Sequence, residues 1–403
     1  MGWKAKAFLF LQNIFHRLLF FVSKKKQKRP FSLEAPEKIL LSNWASLGDL
    51  FLSMLVFQAI RDRFPQAKIG FLVSKHSRKV LQSYEGIDFI HEVEGLAKNY
   101  PHFFAKLKRW ALFLMRERRA LIHEIKEKNY SWAIELYPFF PNTISLFWSA
   151  KIPFLIGFDR GGGSFLLDLI IDWKEGSYLK NQYETLISTL YRNKLKNREF
   201  DKEVTRNFSL EREIIVEGQG LSEEKNCGER LTQGKTDSST CFSICKGDSK
   251  KRFSNQLKSF SQRSYLILHP FSSLSEKDFP LSFWQRLYFL LKQEGFSLYF
   301  TGDGKSQREA IQKIGATEEE NLCGKLSWQE FVDQVEKSRA VISVDTVTVH
   351  VAAFFNLPLF LLYQRKDPLW VPSGKGKKIY SSKDFPEQVL EDVKELYKEG
   401  FRP

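Results

Sequence analysis

The sequence predicts an α/β protein built from two sheet domains that face one cleft. Three observations lead to that class. The apolar run Ile39-Leu40-Leu41 gives way to a turn ending Leu47-Gly48-Asp49, then to an amphipathic stretch through Phe57, Ile60 and Phe64. That is the pattern of a strand, a glycine turn and a helix with an acid in its first turn. Far downstream, Ala340 to Val344 reads as a second buried strand, and the polar tip Asp345 to His350 follows it directly. Finally, at 403 residues the chain exceeds the ~250–300 residues that one core usually encloses.

The chain opens with an arm, residues 1–33, that holds eight Lys or Arg and no acid, over half of the net charge of +15. Phe8, Leu11, Ile14, Phe15, Leu18 and Val22 recur at helical spacing, with Gln12, Asn13, His16 and Arg17 on another face. The run Lys24-Lys25-Lys26-Gln27-Lys28-Arg29 comes next. An apolar helix face beside a basic cluster suits an anionic membrane surface, at about 1 kcal/mol per Lys or Arg. No small-residue cleavage site follows Val22, so a secretory signal does not fit. Polar residues interrupt the segment before the ~20 apolar residues that a span requires. The expected location is therefore cytoplasmic and peripheral, on the inner face of the membrane.

Residues 34–211 read as the first sheet domain. In open α/β sheets the carboxyl ends of the strands line the ligand crevice, so Asp49 is well placed for chemistry. Its plainer role is to complement the helix dipole. Further strands are expected at Ile69–Val73, Phe89–Val93 and Trp132–Leu136, with a long basic helix over 103–126. That helix is either a solvated surface or a patch facing acceptor or membrane. Nucleic acid is a poor partner, since no recognition motif accompanies the charge. Gly161-Gly162-Gly163 lacks the spacing of a phosphate loop and reads as a flexible loop. Residues 212–262 are rich in Gly, Ser, Lys, Glu and Gln and read as a linker or insertion.

The second sheet domain, 263–403, begins with a strand at Tyr265–Leu268. The loop Ser272-Ser273-Leu274-Ser275-Glu276-Lys277 follows, and Ser282 is expected to cap a helix bearing Phe283, Leu287 and Leu290. Hydroxyls and a lysine at a strand's carboxyl end suit a diphosphate, which needs donors and positive charge. A strand at Ser297–Phe300 ends in the turn Gly302-Asp303-Gly304. At the tip after Val344, threonine hydroxyls and helix N–H groups make a phosphate seat; alternatively, Asp345 or Thr346 simply caps a helix. That helix is expected from Val351 to Phe355, with a last strand at Leu359–Tyr363. Four cysteines are too few for a disulfide framework and point to a reducing compartment. Cys227, Cys241 and Cys245 fall one ligand short of a structural zinc site.

Leu47-Gly48-Asp49, Arg63-Phe64-Pro65, Lys277 before Phe279-Pro280, Asn321-Leu322-Cys323-Gly324-Lys325, and Asp345-Thr346 with His350 resemble, in order, the lipopolysaccharide heptosyltransferases of glycosyltransferase family nine. The resemblance covers about residues 38–210 and 264–372. It implies a GT-B fold, two Rossmann-like domains with the catalytic cleft between them. It also implies an inverting, metal-independent transfer from a nucleotide sugar, typically ADP-heptose, to a lipopolysaccharide core or related lipid-linked acceptor, with no cofactor. Asp49 would be the general base and Lys277 would contact the leaving phosphates. Ser272, Ser273, Asp345, Thr346, Thr348 and His350 would complete the donor side. The chain departs from the family pattern at Val347, where a glycine is usual, and at Phe271, where many members have a small residue. Ser306 or Gln307 stands where an acid commonly contacts the donor ribose, with Glu309 displaced. These departures keep two alternatives open: a GT-B binding or scaffold protein that has lost catalysis, and a nucleotide-sugar epimerase-like enzyme.

Overall fold

A computed structural model describes residues 35–82, 84–94, 116–137, 139, 143–192, 265–364, 371–372, 376–381 and 384–398. The arm at 1–33, the segment 212–262 and most of the helix expected over 103–126 lie outside these residues.

The first sheet has six strands: β1 (Lys38–Asn43), β2 (Lys68–Ser74), β3 (Phe89–Val93), β4 (Trp132–Glu135), β5 (Phe154–Phe158) and β6 (Leu169–Ile171). They run in the order β3-β2-β1-β4-β5-β6, and every pairing is parallel. The order reverses between β1 and β4, so a crevice opens above the carboxyl ends of those two strands. Helices α1 (Leu47–Arg63), α2 (Arg78–Leu81), α3 (Arg118–Glu127), α4 (Ile144–Ser149) and α5 (Leu179–Arg192) accompany it.

Alternation along the strands builds a core on each face. Ile39, Leu41, Phe71 and Ile134 pack with α1 and with Tyr183 and Leu186 of α5. Leu40, Leu72, Ala133 and Leu155 point the other way, against Leu121 and Ile125 of α3 and Phe147 of α4. A strand buried on both faces reads as a continuous apolar run, which is why β1 stood out in the sequence.

The second sheet holds β7 (Tyr265–His269), β8 (Ser297–Phe300), β9 (Ala340–Val344), β10 (Leu359–Leu362) and β11 (Lys377–Tyr380). Its order is β11-β10-β9-β7-β8, again all parallel, with the reversal between β7 and β9. The accompanying helices are α6 (Leu281–Gln293), α7 (Lys305–Ile314), α8 (Trp328–Glu336), α9 (Val347–Phe354) and α10 (Pro386–Lys398). Leu266, Leu268, Ile342 and Leu362 face α6, α7 and α10, whereas Ile267, Val341 and Leu361 face α8 and α9.

The two units meet through α1 and α9. Phe51 of α1 lies in the core beneath α8 and α9, edge-on to Trp328 at 5.9 Å and to Phe354 at 5.3 Å. That contact brings the two strand-order reversals face to face.

Two expectations need correction. Helix α9 starts at Val347, not at Val351, so Thr348 and His350 sit on its first turns. Its β-branched run has weak intrinsic helix propensity, but burial outweighs propensity there. Pro280, not Ser282, occupies the N-cap position of α6, and the buried face is Trp284, Leu287 and Leu291. Strands β5 and β6 and the helix α5 were not anticipated. In the Gly161-Gly162-Gly163 segment all three glycines have positive φ, a conformation that side chains disfavour, and the chain then enters a 3-10 turn at Ser164.

Candidate active site

Strand β1 ends at Asn43, and the chain turns through Trp44-Ala45-Ser46 into α1. The turn is built by side chains. Asn43 Oδ1 accepts from Ala45 N–H at 3.2 Å, while its Nδ2 donates to the Asp49 carbonyl at 3.0 Å and to the Tyr183 hydroxyl at 3.2 Å. Tyr183 in turn donates to the Leu136 carbonyl beyond β4 at 2.8 Å, tying the two loops that flank the crevice.

Asp49 is 7% exposed. Its Oδ2 accepts from Ser46 N–H at 3.1 Å and from Ser46 Oγ at 2.7 Å, in the manner of a capping box. Oδ1 has no partner among the described residues. Burial pushes the carboxyl up to about 6; the Ser46 bonds and Lys277 oppose that rise, and Asp345 adds to it. A carboxylate pinned by one oxygen, with the other free and its basicity raised, is equipped to accept a proton near neutral pH.

The opposite wall lies close by, since a Cβ on Gly48, the neighbour of Asp49, would come 3.5 Å from Val347 Cα at the start of α9. Lys277 ends a 3-10 turn, Ser275–Lys277, in the loop after β7. Its Nζ pairs with Asp345 Oδ2 at 2.7 Å and donates to the Asp345 carbonyl at 3.3 Å. Asp345 follows β9, and Thr346 caps α9, its Oγ1 accepting from Thr348 N–H at 3.3 Å. A cation and a helix N-terminus thus occupy one wall, a setting suited to an anion.

His350, one turn into α9, is buried, and its Nδ1 lies 2.9 Å from the Tyr178 hydroxyl. On its other side the ring presses on Gly48: a Cβ there would come within 2.5 Å of His350 Cδ2. Gly48 lies inside α1 and has no positive φ, so glycine before Asp49 is required by contact between the two units and not, as the sequence suggests, by a turn.

The structure brings Asp49, Lys277, Asp345, Thr346 and His350 together. Three other expected residues are placed differently. Ser272 Oγ is committed to its own loop, donating to the Leu274 carbonyl at 2.6 Å and accepting from Leu274 N–H at 3.0 Å. Ser273 is exposed. Thr348 is wholly buried, and its hydroxyl has no partner among the described residues. Val347 keeps a negative φ, so its branched side chain causes no backbone strain. Gln307 lies across the turn after β8, its Oε1 accepting from Asp303 N–H at 2.9 Å.

Sequence reasoning missed Glu135. It ends β4 and is 1% exposed, with its carboxylate accepting from Tyr137 N–H at 2.9 Å, Thr143 N–H at 2.6 Å and the Thr143 hydroxyl. Burial raises it to about 7. Its signal was the one that exposed Asp345, an acid closing an apolar run at a strand's carboxyl end. Tyr178, which reaches His350, left no comparable signal.

A profile of glycosyltransferase family 9 (heptosyltransferase) matches residues 173–398, more than half of the chain. The chain belongs to glycosyltransferase family 9. It is accordingly a glycosyltransferase. Among relatives in the family, lipopolysaccharide heptosyltransferase 2 of Escherichia coli (strain K12) is 24% identical over 351 residues, covering 83% of this chain and 85% of that protein. Lipopolysaccharide core heptosyltransferase OpsX of Haemophilus influenzae is 22% identical over 344 residues, covering 84% and 82%. Among solved structures, the E. coli heptosyltransferase WaaC with ADP superposes with a TM-score of 0.58 at 14% identity, covering 90% of this chain and 98% of that one. The E. coli ADP-heptose lipopolysaccharide heptosyltransferase II gives 0.56 at 19% identity, covering 90% and 99%. The GT-B arrangement of the family is thus the fold of this chain.

Proposed function

We propose that this family 9 glycosyltransferase moves a heptose from ADP-heptose to a lipopolysaccharide core or a related lipid-linked acceptor, with inversion and without a metal ion. The observation that carries the reading is the buried Asp49, one oxygen free, facing the Lys277–Asp345 pair across the cleft. The names of the relatives supply the donor and acceptor class.

In this mechanism an acceptor hydroxyl lies against Asp49. As its oxygen attacks the anomeric carbon, the proton passes to Asp49 Oδ1. The bond from that carbon to the diphosphate oxygen breaks on the opposite face, so configuration inverts and ADP leaves. Negative charge grows on the leaving diphosphate, and Lys277 with the N-terminus of α9 compensates it. Asp345 holds Lys277 in place at 2.7 Å. Thr346, His350 and the exposed Ser273 of the β7 loop are assigned to the donor side, whereas Thr348 is wholly buried and the Ser272 hydroxyl is spent on its own loop. Excluding water from the cleft strengthens each of these interactions.

The reading also places the protein on the cytoplasmic face of the membrane, with residues 1–33 as the contact. Their composition supports this, and no helix among the described residues is long and apolar enough to cross a bilayer.

The test is mass spectrometry of a lipid acceptor incubated with purified protein and, separately, ADP-, UDP- and GDP-sugars. One heptosyl unit should be added from ADP-heptose. Addition from a UDP- or GDP-sugar alone would refute the donor assignment, and no addition from any donor would count against the activity.

A further inference from the structure

We infer that Tyr178 is a positioning residue for His350: its phenolic O–H donates to Nδ1 and holds the imidazole in the Nε2–H form at the edge of the cleft. The significance of that N–H rests on the transfer reading above, whereas the state of the ring does not.

Tyr178 lies just before α5, in the first unit, whereas His350 belongs to α9 in the second. The hydroxyl is 2.9 Å from Nδ1, and the rings are near parallel, 12° apart in plane with centroids at 5.9 Å. With Gly48 against the Cδ2 side, the imidazole is wedged between two residues of the other unit.

The direction of the bond follows from what each group needs. Tyr178 is 7% exposed and His350 5%. Among the described residues the Tyr178 hydroxyl has no other hydrogen-bond partner. If Nδ1 carried the proton, the buried phenolic hydrogen would lack an acceptor, at a cost of about 1–3 kcal/mol. Nδ1 therefore accepts, and the ring proton resides on Nε2. Burial holds the imidazole down at about 4, so it is neutral at physiological pH. Burial, with Asp49 and Asp345 nearby, pushes the phenol up and keeps its proton on.

Two consequences follow for the cleft. Nε2 has no protein partner among the described residues and is not sealed from solvent, and its edge lies beside Gly48. It can donate to an oxygen of a bound nucleoside diphosphate on the Lys277 side. Being already protonated, Nε2 cannot compete with Asp49 for the acceptor proton. One hydroxyl from the first unit thus fixes the role of a side chain on the second, and does so only while the two units are in contact.

The test uses the full chain labelled with nitrogen-15 histidine. There are seven histidines, and His350→Asn identifies the signal. Wild-type His350 should show a bare Nδ1 and a protonated Nε2, and ADP should shift the Nε2 resonance. Tyr178→Phe keeps the stacked ring and loses the hydroxyl. Both nitrogens should then move toward tautomer-averaged values, with kcat/KM down about five- to tenfold, the worth of one neutral hydrogen bond. A protonated Nδ1 in the wild type would overturn the inference, as would a Tyr178→Phe spectrum unchanged from it. Should that variant not fold, the wild-type spectrum alone decides. Because the spectrum needs no turnover, failure of this inference is distinguishable from failure of the heptosyl-transfer reading.

Discussion

Asp49 combines burial, a one-sided anchor on Ser46 and a raised carboxyl, and each has a measurable consequence. A base that must be unprotonated loses activity as pH falls through its folded value. The acidic limb of kcat/KM should therefore have its midpoint near pH 6, not near the 3.8 of an ordinary aspartate. A pH–rate profile flat from 7 to 5 would remove Asp49 from that role. The same shift has a stability sign. A carboxyl raised on folding favours the native state at low pH, and that contribution is lost as pH rises toward 6. Above it, the buried charge costs on the order of 2–3 kcal/mol. Asp49→Asn, which carries no charge, should accordingly raise Tm at pH 8 while abolishing transfer. Lys277→Ala should weaken ADP binding by about 1.5–3 kcal/mol, read by calorimetric titration. It should also strand Asp345 in a nearly buried site without its cation.

At the scale of elements, the contact of α1 with α9 sets the geometry of the site. Gly48→Ala introduces a Cβ that would sit 2.5 Å from His350 Cδ2. Overpacking of this kind typically costs about 1–3 kcal/mol. The clash falls between the units, so the rate should drop more than the stability does. Thermal unfolding compared with turnover checks this: a variant with wild-type turnover would show that the α1–α9 spacing is not critical. The elements also show what was legible in the sequence. β1 and β9 could be read because each is a largely apolar run, Ile39–Leu41 and Ala340–Val344 with only Ser343 polar, leading to a polar tip, which is what burial on both faces produces. The same logic located Asp49 and Asp345. Helix α9 was mistaken in its start because Val347, Thr348, Val349 and Val351 favour strands, and only burial against β9 and β10 reveals why they coil. Glu135 was overlooked because one acid inside Trp132–Leu136 looks like a strand's solvent face. Tyr178 could not be found, since its partner is 172 residues away.

For the whole molecule, two parallel sheets present their strand-order reversals to each other, and a transfer reaction needs its two substrates held in that way. In the proposed membrane contact, the basic sequence of residues 1–33 would hold the protein at the surface that carries the acceptor. Deleting it should release the protein from anionic vesicles at low salt, and spare activity on a short soluble acceptor, since Asp49, Lys277 and Asp345 lie outside it. Equal sedimentation of intact and truncated protein would show that the arm is not the anchor. Asp49 is proposed to take the acceptor's proton in a transfer that needs no metal. The most direct test of that role is product formation from ADP-heptose and a lipid-linked acceptor, in excess chelator, by the wild type and by Asp49→Asn. Wild-type turnover should be full in chelator, and the variant should lose about 10²–10⁴-fold with ADP affinity nearly unchanged. A variant that keeps more than half of the wild-type rate, or a wild type silenced by the chelator and revived by a divalent cation, would contradict it.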